Sequence, residues 1–174
     1  MEITKNYPKV QAETLHFLIL PWLAPGHLIP TTDIARLLAK HNAAVTIITT
    51  PVNAARIKPT IDRSNAAAAG NISLVSLYLP ATEVGLPEGC ENIDLLPSMP
   101  LLYNFYEAIK LFRHQVSRYI HEWAPRVSCI IGGMGYVWAV GMGYVWAVDM
   151  AHELGVPCFI FHGFGSFVAR SVLF

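Results

Sequence analysis

HFLILPWLAPGHLIP, at residues 16–30, predicts a buried strand, then a tight loop, then the start of a helix. The apolar run at residues 17–20 is typical of a parallel strand that is covered on both faces. Two prolines and a glycine at residues 21–26 indicate a loop, and Pro30 suits the first turn of the following helix. Ligands of open α/β sheets bind outside the carboxyl ends of the strands. His27 is therefore a candidate catalytic residue, although a lone loop histidine more often has a structural role.

The composition is typical of a folded domain. The chain has 174 residues, of which 53% are hydrophobic and 14% are charged, so one domain with a substantial core is expected. Twelve basic and twelve acidic residues give a net charge of zero, and they form no basic stripe. Nucleic acid is therefore not expected as a partner.

The cysteines and the amino terminus favour a cytoplasmic protein. Cys90, Cys129 and Cys158 are odd in number and widely separated, which predicts reduced thiols and no metal site. Residues 1–14 are polar and contain no signal-peptide core. We expect them to form a flexible amino-terminal segment that precedes a domain at residues 15–174.

An uncharged segment raises a membrane-associated alternative. Residues 127–148 contain no charge, and their length could span a bilayer. The segment contains a perfect octapeptide repeat, GMGYVWAV, at residues 133–140 and 141–148. One copy alone would leave 14 uncharged residues, a length more typical of a soluble core, so a membrane is an unlikely partner.

Apolar strands alternate with helical patterns along the chain, which predicts an α/β fold with a Rossmann-like parallel sheet and helices on both faces. A first helix at residues 29–40 follows the loop that carries His27. Further strands are expected at residues 44–50, 72–79, 127–131 and 157–161, and further helices at residues 53–61 (interrupted at Pro59), 101–123 and 150–154. A connector is expected at residues 65–70.

Residues 80–100 are rich in proline and glycine and predict a long surface loop. Long loops in compact domains are often functional. The carboxylates of this loop are interpreted as a solvated rim; they are Glu83, Glu88, Glu91 and Asp94.

Five blocks of sequence resemble the amino-terminal domain of plant UDP-dependent glycosyltransferases, which have the two-domain GT-B fold. The blocks are HFLILPWLAPGHLIP (16–30), DIARLLA (33–39), VTIITTPVNAARI (45–57), GLPEGCENIDLLPSM (85–99) and GVPCFIFHG (155–163). They cover nearly the whole chain in the order of the family. The block at residues 85–99 is the most specific of them.

The resemblance implies a reaction and roles for several residues. His27 matches the general base, which takes a proton from an acceptor hydroxyl as its oxygen attacks the anomeric carbon of a UDP-sugar, with inversion. The near-neutral pKa of an unperturbed imidazole suits this chemistry. Trp22 and Gly26 are expected to border the site for a small acceptor such as a phenolic or terpenoid. The UDP-sugar is a donor substrate, and no cofactor is expected.

The chain departs from the family at the aspartate that orients the histidine. The matching position is Gly133, and aligning the other copy of the repeat places Gly141 there instead. Asp149 falls in the following helix and does not restore the carboxylate. Losing a carboxylate that orients a catalytic base is severe in analogous triads.

Two further features predict weak or absent transferase activity. The chain stops at Phe174, within the amino-terminal domain, so we expect the carboxyl-terminal UDP-sugar-binding domain to be absent. Eight inserted residues would rotate a helix by about 80° beyond two turns, so Trp138 and Trp146 cannot both face the same core surface. The alternatives are a non-catalytic acceptor-binding or interaction module and a nonfunctional gene fragment.

Overall fold

The computed structural model describes residues 14–67, 70–124, 126–133 and 145–162. The strands are β1 (His16–Leu20), β2 (Ala44–Thr49), β3 (Ile72–Ser76), β4 (Cys129–Gly133) and β5 (Cys158–Phe161). The helices are α1 (Pro25–Lys40), α2 (Pro51–Ala67), α3 (Leu102–Trp123) and α4 (Val145–Leu154).

The five strands form one parallel sheet in the order β3-β2-β1-β4-β5. In the central strand β1, Leu18 lies opposite Thr46 of β2 and Ile130 of β4. The strand order reverses between β1 and β4, which is the topological switch point at which open α/β sheets bind ligands. The predicted α/β fold with a parallel sheet is confirmed.

Helices cover both faces of this sheet, as predicted. On one face, Leu18 and Ile130 belong to a buried cluster that includes Phe112 of α3 and residues of α4. On the other face, Ile19 of β1 packs in a cluster with Leu28 of α1 and residues of α2. Alternate residues of β1 therefore enter different cores, which is why this strand has a continuous apolar sequence.

Helix α1 begins earlier than predicted, so His27 lies in its first turn and not in a loop. Pro25 occupies the first helical position, where a missing N–H has no intrahelical partner to lose. The amides of His27 and Leu28 donate to the Ala24 carbonyl at 3.0 and 2.9 Å. Pro30 lies inside the helix, and the expectation that it marks the first turn was wrong.

Helix α2 is longer than predicted and continues through Pro59. Pro59 is on the exposed side, where the carbonyl that loses its partner can bond to water. The helix also includes Asn65, which was expected in a connector. The Asn65 side-chain amide donates to the Ile72 carbonyl at 2.8 Å and its oxygen accepts from the Ile72 amide at 3.1 Å, so these bonds join the end of α2 to β3.

The remaining boundaries differ by a few residues. Strand β3 ends at Ser76, and the loop after it contains three short 3₁₀ turns at Thr82–Val84, Ile93–Leu95 and Met99–Leu101. Strand β4 extends to Gly133. Helix α4 begins at Val145, five residues before the predicted start.

The uncharged segment does not form one continuous helix. It contributes strand β4 at one end and the beginning of α4 at the other. Across the described residues, no helix combines the length and apolar character needed to cross a bilayer. Trp146 of the second repeat copy is buried in the core, whereas Trp138 of the first copy lies outside the described residues.

Candidate functional site

His27 lies at the carboxyl edge of the sheet, in the turn of chain that follows central strand β1. It is the third residue of α1, and only 8% of its surface is exposed. Two threonines of the next turn bond to the helix backbone around it: the Thr31 hydroxyl donates to the His27 carbonyl at 2.6 Å, and the Thr32 hydroxyl donates to the Leu28 carbonyl at 2.7 Å. The backbone of His27 is therefore held within the first turn of α1.

The imidazole of His27 contacts the end of strand β5. Its Nε2 lies 2.9 Å from the carbonyl oxygen of His162. The ring also meets the Phe161 ring edge-on, with centroids 6.1 Å apart and an interplanar angle of 88°. Residues 155–163 are one of the blocks that resemble the family, but no sequence pattern marks a backbone carbonyl as a partner of His27.

Gly133 is the last residue of β4 and lies directly against the backbone after β1. A Cβ atom added at Gly133 would overlap the amide nitrogen of Trp22 and lie 3.1 Å from its Cα. The obstacle is backbone and not a flexible side chain. The position at which the family resemblance implies an aspartate therefore has no space for a side chain in this chain.

The two other predicted site residues occupy different environments. Trp22 is only 2% exposed; its ring stacks on Tyr106 at 5.8 Å and meets Phe105 edge-on at 6.3 Å. The indole is therefore part of the core beneath the turn. Around Gly26 there is open space, since no atom lies within 4 Å of a Cβ added there. Roles for both residues in substrate binding remain predictions.

A buried polar network joins the loop at residues 85–99 to the start of α2. The Glu91 carboxylate accepts a hydrogen bond from the Val52 amide at 2.7 Å, which caps the amino terminus of α2 with a negative charge. The Asn53 side-chain amide donates to the Glu91 carbonyl and to the Thr50 hydroxyl at 2.7 and 2.8 Å, and the Asn92 amide donates to the Asn53 side-chain oxygen. Asn53 and Asn92 are fully buried.

The interpretation of the loop carboxylates as a solvated rim was wrong for Glu91. It is only 9% exposed, because a helix amino terminus offers unpaired backbone amides that favour a buried acceptor. Asp94 is exposed, as expected for a solvated carboxylate, and pairs with Arg56 of α2 at 3.0 Å. The adjacent Glu-Asn pair in the block at residues 85–99 was the available signal, since both side chains can bond to backbone groups.

The same loop reaches the turn that carries His27. The Ile93 amide donates to the Leu23 carbonyl at 2.9 Å, and Leu23 immediately precedes the N-cap residue of α1. The network therefore connects the β1–α1 turn to β2 and α2. It holds the His27 helix from the side opposite to β4.

The cysteines are unpaired thiols within the part of the chain that the structure describes. Burial raises the pKa of all three, and the charge of Cys158 adds to the increase at Cys129. Cys158 pairs with Ile130 in the sheet, so the Cys129 side chain points to the opposite face. The described residues contain no group of three or more histidine, cysteine or acidic side chains that could hold a metal ion.

The chain is similar in sequence and in fold to plant glycosyltransferases. UDP-glycosyltransferase 73E1 of Stevia rebaudiana is 41% identical over 162 residues, which are 92% of this chain and 31% of the relative. The structure of Glycyrrhiza uralensis UGT73P12, complexed with glycyrrhetinic acid 3-O-monoglucuronide, is 32% identical with a TM-score of 0.74 and covers 91% of this chain and 30% of that one.

A more distant solved structure has the same fold. Arabidopsis thaliana UGT89C1, complexed with UDP, superposes with a TM-score of 0.73 at 18% identity, over 91% of this chain and 36% of that chain. No family model matches the sequence. The chain spans about a third of the length of the curated relatives it matches, and its fold corresponds to the amino-terminal half of their GT-B architecture.

Proposed function

We propose, from the confirmed resemblance to plant UDP-dependent glycosyltransferases, that this chain is the acceptor-side part of an enzyme of sugar transfer. The reaction moves a sugar from a UDP-sugar to a hydroxyl of a small plant metabolite. The position of His27 carries the proposal: a nearly buried imidazole at the topological switch point of the sheet, within a segment that matches the family.

His27 acts as the general base in this proposal. Its imidazole takes the proton of the acceptor hydroxyl while the oxygen attacks the anomeric carbon from the side opposite to the UDP. The new bond joins the acceptor oxygen to the anomeric carbon, and the bond from that carbon to the phosphate oxygen breaks. UDP leaves with the electron pair, and the anomeric centre is inverted. Such a positioned base contributes about 10²–10⁴-fold to a rate.

The substrates follow from the same assignment. The relative from Glycyrrhiza uralensis holds glycyrrhetinic acid 3-O-monoglucuronide, which supports a small-molecule acceptor with a hydroxyl, such as a phenolic or a terpenoid. The donor is a UDP-sugar, and it is a substrate and not a resident cofactor. Free thiols within the described residues support a reducing compartment such as the cytoplasm.

A second candidate function is supported by Gly133. Because this position cannot hold the carboxylate that the family resemblance implies, transfer by this chain is expected to be weak or absent. In that case the chain binds an acceptor without turning it over. Both functions share the same acceptor site and differ in whether His27 moves a proton.

One experiment separates the two functions. The purified chain is mixed with UDP-glucose and with either glycyrrhetinic acid 3-O-monoglucuronide or a panel of phenolics. Equilibrium dialysis measures acceptor binding, and mass spectrometry measures product. Catalysis predicts product that falls by about 10²-fold or more in His27→Gln. It predicts no loss in His41→Gln, which changes an exposed histidine at the other end of α1. Saturable binding without product identifies the acceptor-binding module, and absence of both contradicts the proposal.

A further inference from the structure

The family resemblance implies a carboxylate that orients His27, and Gly133 at that position provides none. The described contacts of the imidazole include the hydrogen bond between Nε2 and the His162 carbonyl at 2.9 Å and the edge-on contact with Phe161. Phe161 is the last residue of β5 and His162 follows it, and β5 lies two strands away from the strand that precedes His27. The bond therefore ties the β1–α1 turn to β5 across the end of β4.

We propose that the backbone carbonyl of His162 helps to position His27 in this chain and that it fixes the tautomer of the imidazole. A carbonyl oxygen can only accept a hydrogen bond, so the proton of this bond must be on Nε2. In the neutral ring, Nδ1 then holds the lone pair. A proton that neutral His27 accepts goes to Nδ1, and the bond from Nε2 to the carbonyl persists in the imidazolium.

The packing at the end of β4 explains why this role belongs to the backbone. A Cβ at Gly133 would overlap the Trp22 amide nitrogen and lie 3.0 Å from the Trp22 Cβ. A Cβ at the preceding Gly132 would lie 3.3 Å from the Ala147 Cβ. Gly133 therefore cannot carry a carboxylate toward His27 without moving the chain after β1, and a side chain at Gly132 would press on Ala147 of α4. A main-chain carbonyl needs no such space.

The carbonyl also differs chemically from a carboxylate in the same role. It is a neutral dipole, so it orients the ring and favours the imidazolium less strongly than a full negative charge would. The inference rests on the proposed function only where it assigns the direction of proton movement. The tautomer itself is a property of the chain without donor or acceptor.

The test is the tautomer of His27 in the folded chain. The ¹⁵N-labelled protein gives long-range ¹H–¹⁵N correlations of its imidazole rings at a pH where they are neutral, and loss of one set of signals in His27→Gln assigns that residue. The expected result is a single Nε2–H tautomer for His27. A ring protonated on Nδ1, or one that averages both tautomers, overturns the proposal.

A matched variant separates the carbonyl from the side chain that follows it. His162→Ala removes the second imidazole but keeps the backbone carbonyl, so the His27 spectrum is expected to remain that of the Nε2–H tautomer. Conversion of His27 to another tautomer in this variant would assign the role to the His162 side chain and overturn the proposal. Because neither spectrum requires substrate, a failed transfer assay would not alter the outcome.

Discussion

The sheet edge around His27 is fixed by side chains on the β2 side and by backbone on the β4 side. On the β2 side, Glu91, Asn53 and Asn92 form a buried network that reaches Leu23. On the β4 side, Gly133 lies against the Trp22 backbone and a carbonyl holds the imidazole. The first side is built from polar side chains of residues 85–99, whereas the second has glycine where the family resemblance implies a carboxylate. Side chains therefore set the geometry on one side of His27, and close backbone packing sets it on the other.

The largest expected effect on stability is on the β4 side, where a side chain at Gly133 would disrupt its packing against the Trp22 backbone. Gly133→Asp should destabilise the fold by about 3 kcal/mol or more, because the added atoms overlap backbone that cannot yield as a side chain would. Urea unfolding measures the change. Gly26→Ala is the control, since a Cβ there meets open space, and it should leave stability within about 0.5 kcal/mol. A Gly133→Asp protein as stable as the parent would contradict this description of the β4 side.

A smaller effect is expected on the β2 side. Asn92→Ala removes the donor to the buried Asn53 oxygen and should cost about 1–3 kcal/mol, the penalty for an unsatisfied buried polar group. Glu88→Ala changes an exposed residue of the same loop and should cost less than about 0.5 kcal/mol. Equal midpoints for these two variants in urea would show that the network does not hold the loop.

The smallest expected effect is the pH dependence of stability that the three cysteine thiols cause. Burial raises the pKa of Cys90, Cys129 and Cys158, so the folded thiols stay protonated at pH values where unfolded thiols ionise. Their contribution to stability is therefore complete below the pKa of unfolded cysteine and is lost as pH rises through the higher folded value.

Alkylation with iodoacetamide measures this shift directly. The rate for the native chain should rise only above the usual thiol range, and the rate in urea should rise at lower pH, because the thiolate is the nucleophile. Identical pH profiles in the native and unfolded chain would contradict the direction of the shift.

The sequence predicted the sheet well because apolar runs such as residues 17–20 record burial on both faces. It was less informative where a contact depends on distant backbone. Glu91 resembled the exposed acids beside it, and only the approach of the α2 amino terminus distinguishes it. Pro30 and Pro59 suggested a helix start and an interruption, but both lie inside helices because packing outweighs the cost of one backbone hydrogen bond.

The sequence also predicts only those parts of the candidate site that depend on local pattern. His27 stands out as the histidine after the first strand, and Gly133 stands out as the glycine where the family resemblance implies an aspartate. The His162 carbonyl and the closeness of Trp22 to Gly133 depend on how β1, β4 and β5 meet in space. No residue type in the sequence encodes either contact.

Titration of the ¹⁵N-labelled chain with glycyrrhetinic acid 3-O-monoglucuronide, observed at the rings of His27 and His16, tests most directly whether an acceptor binds at the carboxyl edge. The two histidines lie at opposite ends of β1, and His16 is buried with its Nε2 2.9 Å from the Thr46 hydroxyl. Acceptor binding at the carboxyl edge should give a saturable shift at His27 and leave His16 unchanged. A shift confined to His16, or no shift at His27 at saturating acceptor, would contradict it.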